Sequence, residues 1–459
     1  MNLKNKIFIL LAGAVLFGSC KKELELKDPQ GLSPEDATAN DANIKRLLQG
    51  GYDAMSSSNI YGGNVQMFAD LLGSNGEVNW VGTFNDYREI WGKSMITTNP
   101  RLSATWSAAY NAINIANNVL ANIEKVAAAD KNRVKGEALF IRAAMHFELV
   151  RLFARDYTDG DPNMNPGVPL MKLPTNSTAE ITKPGRDKVA VVYTAVIADL
   201  TEAEPLLPTT NGVFATRATA AGMLSRVFLQ KADYAGARDA SNRAITSATG
   251  KSLLATFMNN FNQAANTAED LFAIQVSDQD GANNLQLFYS VDIFGARDGD
   301  IEVNQSHMAL YEPGDARATV TTNPGATTSF NTAFYTKYGA FRTTKFRDLY
   351  RNVKVMRLAE MYLTRAEANF RLGTSVGDTP LNDINRIRRR AGVADLVAIT
   401  DVNQIYLERR RELAFEGFGI HDARRFKRTV DGRPWNDLRL ILWIPFRELN
   451  ANPNLEQNK

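Results

Sequence analysis

The sequence predicts a mainly α-helical protein: about four helix pairs, with a long loop-rich, partly β insertion and two shorter ones. Three observations lead there. Apolar residues recur three and four apart over long windows, as in Trp106, Ala109, Ile113, Ala116, Leu120, Ile123 and Ala127, the period of a helix with one buried face. Small residues align across neighbouring helical runs, which lets two helices approach closely. Three stretches, 57–103, 157–187 and 250–350, interrupt that pattern with Gly, Asn, Pro and aromatic residues.

Residues 1–19 read as a secretory signal peptide: Lys4 and Lys6, an apolar run from Ile7 to Phe17, then Gly18 and Ser19 ahead of Cys20. The run is 11 residues long, short of the roughly 20 that a membrane-crossing helix needs, so cleavage is expected. Cys20 after small residues looks like the acceptor of a bacterial lipobox, with Phe17 where that motif usually has Leu. Each buried acyl methylene contributes about 0.8 kcal/mol, and two or more chains attach a protein durably. Residues 20–32 then form a lipidated linker, and a domain of residues 33–459 follows. Removal of Lys4 and Lys6 takes the formal charge from +3 to +1.

The helices follow in order. Ser33, Pro34, Glu35 and Asp36 form a start signal, with Ser33 as N-cap, and Ile44, Leu47, Leu48 and Met55 share the next apolar face. The Trp106–Ala127 stripe comes next, with Asn114, Asn117 and Asn118 mostly off it, and a third helix spans about Lys135 to Ala154. A fourth aligns Val189, Tyr193, Val196, Leu200, Ala203 and Leu207 and stops at Pro208. Runs Ala220–Lys231 and Tyr234–Thr246, broken at Ala232-Asp233, set Ala237, Ala240 and Ala244 beside Leu224, Phe228 and Tyr234. That pairing is tetratricopeptide-like, and the alternative is an alanine-rich bundle without repeat geometry. Leu358–Gly373 repeats the style, followed by a helix near Leu381–Ala391, and Leu271–Val276 reads as a strand.

Composition excludes several function classes. With 53 Lys plus Arg against 50 Asp plus Glu, the chain is neither a general nucleic-acid binder nor a polybasic membrane-surface protein. One cysteine rules out a disulfide framework, a zinc ribbon and an iron-sulfur cluster. Gly250-Lys251-Ser252 lacks the first glycine of a phosphate loop, since Ile245 stands there. His146, His307 and His421 are scattered and read as structural. Asp278, Asp280, Asp298, Asp300 and Glu302 could hold calcium, but their spacing matches no EF-hand, and solvated loop acids is the reading preferred; no cofactor is expected. Arg409, Glu412 and Glu416 lie one helical turn apart and predict an internal ion-pair network.

One run is recognisable: Glu408-Arg409-Arg410-Arg411-Glu412-Leu413-Ala414-Phe415-Glu416-Gly417, followed by Asp422, Arg424 and Arg425. Leu358–Leu363 with Arg365–Ala368 continues it, as do Asn385, Arg388, Arg390, Ala391 and Gly392. Gly167-Val168-Pro169-Leu170, Asp199-Leu200, Leu207-Pro208, Asp315 with Arg317, and Ile444-Pro445 with Asn452-Pro453 complete the set. In these residues the chain resembles the SusD/RagB outer-membrane lipoproteins. The resemblance implies a tetratricopeptide-like scaffold held by lipid on the outer membrane. It also implies a nutrient ligand, most often an oligosaccharide, and a partner, a SusC-like TonB-dependent transporter.

Sugars present apolar C–H faces ringed by hydroxyls, so a site needs flat aromatic rings flanked by amide, carboxylate or guanidinium groups. The segment with Trp80, Asn85, Tyr87, Arg88 and Trp91 has that composition, as does the segment with Tyr289 and Phe294. These are the candidate ligand residues. The expectation is non-catalytic binding, in which Trp80→Ala weakens oligosaccharide affinity with little change in Tm. The rivals are a surface glycoside hydrolase and a binder of peptides or another nutrient on the same architecture.

Overall fold

The computed structural model describes residues 33–281, 283–321 and 332–458. Cys20, the signal peptide and the linker to residue 32 lie outside the described residues. Ser33 caps a single turn, Pro34–Ala37, which ends at Thr38. Asn40 then accepts the N–H of Asn43 and starts α1 (Asp41–Ser56), which buries Ile44, Leu48 and Met55. The sequence signal at Ser33 thus marks a helical turn, and the longer helix has a cap of its own.

The amphipathic runs become long helices. Asn99 caps α4 (Pro100–Ala121), with Pro100 in its first turn, where a missing N–H costs nothing. The expected stripe continued to Ala127, but the backbone leaves the helix at Asn122 and passes through a tight turn at Ile123–Lys125. Next is α5 (Ala128–Phe153), buried almost without interruption from Gly136 to Phe153 because α4 and α6 (Val189–Leu206) pack against it. Then α7 (Arg217–Gln230) and α8 (Tyr234–Ser247) form a close hairpin. Ala232 adopts a left-handed φ of 60° at the break, and Asp233 caps the second helix by accepting from Gly236. A Cβ on Gly236 would stand 2.7 Å from the Phe228 ring, so the hairpin closes only with glycine there. Ala237, Ala240 and Ala244 are buried in the same seam. The helix pairs of the sequence reading are therefore observed, and α8 packs onward against α10 (Leu358–Leu372), which packs on α11 (Pro380–Arg390).

The interrupting stretches are more ordered than their composition suggests. The first holds α2 (Asn64–Leu72), β1 (Val78–Trp80) and α3 (Asn85–Trp91). Every residue of α2 is buried, Gln66 and Asp70 one turn apart on one face included, and the helix is only nine residues long between Gly63 and Gly73 with no side-chain cap, so no start signal marks it. The proline-rich stretch 157–187 is laid along α4, where the Asn114 amide donates to Thr175 O at 3.0 Å and that of Asn117 to Met171 O and Leu173 O at 3.1 Å. The third stretch supplies α9 (Asn284–Tyr289) and the rest of the β structure. Strand β2 (Asp270–Ile274) pairs antiparallel with β7 (Val353–Arg357), both buried throughout. A five-stranded sheet runs in the order β1, β3 (Ile301–Val303), β6 (Ala340–Thr343), β5 (Phe334–Lys337), β4 (Val320–Thr321). Two further short helices, α12 (Val402–Glu412) and α13 (Gly419–Arg425), carry the C-terminal motif. No helix of the described residues is long and apolar enough to cross a membrane.

Candidate functional site

Side chains link three loops around the five-stranded sheet, although the register sets the β5–β6 turn at the end opposite the Trp80 and Ile301 ends of β1 and β3. The first follows β1 and carries Val81 and Phe84; the second, residues 292–300, precedes β3; the third is the β5–β6 turn at Tyr338-Gly339. Tyr338 (φ 52°) and Gly339 (φ 77°) are both left-handed, as the tightest hairpin turn requires. This conformation throws the Tyr338 ring outward, 78 % exposed. Lys337 ties the turn to the second loop by pairing with Asp292 at 2.7 Å and with Asp298. Arg297 ties that loop to the first, donating to Thr83 Oγ1 at 2.9 Å while its guanidinium lies 4.5 Å from the Phe84 ring centre. Among the described residues the exposed aromatics are Phe84, Tyr338 and Phe446. Phe84 is held by the Arg297 guanidinium with Asn85 beside it, and Tyr338 stands on the turn that Lys337 ties to the same 292–300 loop, so the two rings are joined through that loop.

The sequence candidates fall into two groups. Trp80 is 2 % exposed and Tyr87 is fully buried, their ring centres 4.9 Å apart and each against Phe288. Tyr87 also donates its hydroxyl to Asn64 Oδ1 at 2.8 Å. Both rings are core in this structure, because Trp80 leaves β1 on the same inward face as Val78 and Tyr87 points inward from α3 with Ile90. Tyr289 is likewise buried, between Phe346 and Phe415. Trp91 is half-buried with its indole N–H on Val78 O at 2.9 Å. Asn85 and Arg88 are exposed at the loop cluster, and Phe294 is half-buried beneath it against Tyr335. The aromatic surface of the 80–91 segment is Phe84, and Tyr338 adds a ring from a distant turn. A Tyr-Gly pair between two short alternating runs was the available signal for that turn.

Three of the loop acids weighed for calcium and read as solvated are ion-paired instead, and no group of three metal-ligating residues occurs among the described residues. Asp298 pairs with Lys337, Asp300 with Arg297, and Glu302 with Arg342. Lys337 and the local backbone hold the Asp292 carboxyl below its ordinary value, the reverse of what a glycosidic general acid requires. His146 accepts the Met171 N–H at 3.2 Å, and burial holds both His146 and His307 neutral, with pKa values of about 3.

Asp70 is the unusual carboxyl. Burial pushes it up from 3.8 to about 7, although the Tyr289 hydroxyl at 3.2 Å and the N–H groups of Gly417 and Gly419 favour ionisation. Its folded pKa exceeds its unfolded one, so its stabilising contribution is complete below about pH 4 and is lost as pH rises through 7. Asp70→Asn is therefore expected to flatten the decline in Tm between about pH 5 and 8, read by thermal melts across that window.

With this geometry in hand, likeness to other proteins can be stated. A family model described as starch-binding associating with outer membrane matches residues 24–229, and the SusD family model matches residues 254–439. The chain belongs to the SusD/RagB family. It is 26 % identical to SusD-like protein P2 of Formosa agariphila over 99 % of both chains. It superposes on a SusD superfamily protein of Bacteroides thetaiotaomicron with a TM-score of 0.79 at 24 % identity, covering 92 % of this chain and 100 % of that one. A local match of 33 % identity to the starch-binding protein SusD of the same species covers 24 % of this chain and 21 % of that protein.

In this SusD/RagB protein the C-terminal motif is a knot of buried charge. Burial alone would raise the Glu412 carboxyl, but Arg390, Arg357 and Arg317 hold it at about 2. Arg357 donates to Glu412 at 3.0 Å and to Glu269 at 2.6 Å, and Arg317 reaches Glu408 at 2.6 Å. Arg409 turns instead to Asp422 at 3.0 Å. The network is internal, as the spacing suggested, yet it links separate elements rather than running along one helix. Gly417 closes it with φ 84°, and a Cβ there would lie 2.8 Å from Gln66 Cα.

Proposed function

We propose that this SusD-family protein captures an oligosaccharide without cutting it, stacking the sugar on Phe84 and Tyr338 and selecting hydroxyl geometry with Asn85, Arg88 and the loop acids. The carrying observation is that two exposed aromatic rings stand on loops tied together by Arg297 and Lys337. Tethered rings lose little freedom on binding, which favours affinity per unit of buried area. Tyr87, with Trp80 and Phe288 packed against it, forms the base under Phe84, while Tyr289 and Trp91 are structural. Diacylglycerol on Cys20 holds the chain to the outer membrane, and the captured nutrient passes to a SusC-like TonB-dependent transporter.

Incubation with a glycan and peptide panel, read by calorimetry and by product analysis, tests this reading. Glycan binding without product is expected. Turnover would replace it with a hydrolase, and selective peptide binding with a different nutrient.

A further inference from the structure

A cavity of about 390 Å³ lies apart from the rim, between the C-terminal motif and the loop ahead of β1. That volume is near the lower end of the ~300–1,000 Å³ range of small-molecule sites. Three guanidiniums line it, and they are not equivalent. Arg409 is bonded to Asp422, which Arg425 also reaches at 2.7 Å. Arg410 pairs with Glu77, whose other oxygen contacts His307 Nδ1 at 2.8 Å. Arg428 has no carboxylate within ion-pair distance among the described residues; its guanidinium bonds Asn403 Oδ1 and lies 5.5 Å from the Tyr406 ring centre. Leu413, Phe415 and Phe418 add an apolar part to the lining.

Asp70, Glu77 and Asp422 also line the cavity; Glu77 and Asp422 are engaged by Arg410 and by Arg409 with Arg425, and burial favours the neutral form of Asp70. Among the described residues Arg428 is therefore the lining cation left without an ion-paired carboxylate, and beside apolar residues it selects an anion with an apolar face. A carboxylate matches the planar fork of Arg, and a C–H face matches the wall. We propose that this cavity binds a small carboxylate of the size and chemistry of a hexuronic acid, its carboxylate on Arg428 and its C–H face on the Phe415 side. The site is separate from the rim and stands whether or not the rim binds glycan.

The test is calorimetric titration of the full chain with glucuronate, glucose, acetate and sulfate. Glucuronate should bind, with glucose and acetate weaker by about tenfold or more. Arg428→Gln, at an exposed position, should lower glucuronate affinity about tenfold. Thr429→Trp, also exposed and at the mouth, should abolish binding by filling it. A Phe84→Ala, Tyr338→Asn double variant should leave glucuronate affinity unchanged. Equal binding of glucose, or of acetate and sulfate, overturns the proposal, as does unchanged affinity in both cavity variants with unaltered melting curves. Loss of glucuronate in the rim variant alone would move the ligand to the rim, sinking this inference while leaving the proposed function standing.

Discussion

Glu412→Ala is expected to destabilise the protein by about 3–5 kcal/mol, read as a large drop in the urea midpoint or as failure to fold. The carboxylate is fully buried and faces Arg357 at 3.0 Å, Arg317 at 3.4 Å and Arg390. Removing it takes a shared carboxylate from three guanidiniums that keep Glu269, Glu416, Asp315 and Glu408, and so leaves the water-excluded knot with one positive charge uncompensated, which costs more than the pairing contributes. Glu412→Gln keeps the shape and still loses the charge, so it should fall near the alanine variant rather than near wild type. The pH dependence has a definite sign. The folded pKa of about 2 lies below the ordinary 4.5, so this stabilisation is present above about pH 4.5 and is lost as pH falls through 2. The Gln variant should therefore lose stability relative to wild type at pH 7 and converge on it in acid.

Trp80→Ala is expected to cost about 3–5 kcal/mol, the range for emptying a large aromatic from a packed core. The indole sits against Tyr87 and Phe288 at ring-centre distances of 4.9 and 5.4 Å. Its Nε1 is buried without a hydrogen-bond partner in the structure, so Trp80→Phe should be far milder, because it keeps the ring and breaks no hydrogen bond. This reverses what composition alone suggested for Trp80, a binding defect with little change in Tm. A drop in Tm for the alanine variant and near-native melting for the phenylalanine variant would confirm the core assignment. Near-native melting for both would return Trp80 to the surface.

These two residues also show what the sequence could and could not reveal. Long helices were legible because α4, α6 and α8 alternate apolar and polar faces, with a stop at Pro208 and a break at Ala232-Asp233, although the start of α4 at Asn99-Pro100 fell inside the stretch read as loop. Helix α2 was not, since Asn64 to Leu72 is only nine residues between Gly63 and Gly73, lacks a side-chain cap and lies within a glycine- and asparagine-rich stretch. The sheet was not, since its strands are two to four residues long and join positions as distant as Val78, Val303 and Phe341. The site suffered from both limits. The 80–91 segment was chosen for its aromatic content, but which ring surfaces depends on β1 pairing with β3, and Tyr338, on a turn at the other end of the sheet, is linked to it through Lys337 and the 292–300 loop. The alternation of Val78, Asn79 and Trp80 was a local hint that Trp80 faces inward with Val78. The charge knot was foreseen as an ion-pair network, yet its partners at Arg317, Arg357 and Arg390 come from elements that no local spacing connects.

The most direct measurement is oligosaccharide affinity of wild type against Phe84→Ala, Tyr338→Asn, with Tm recorded alongside. Asn tolerates the left-handed backbone at position 338, so the turn survives while the ring is lost. Each ring should be worth about tenfold in affinity, and the double variant should lose binding with its melting curve intact. Full-strength binding by that variant, on a glycan the wild type holds tightly, would contradict the account.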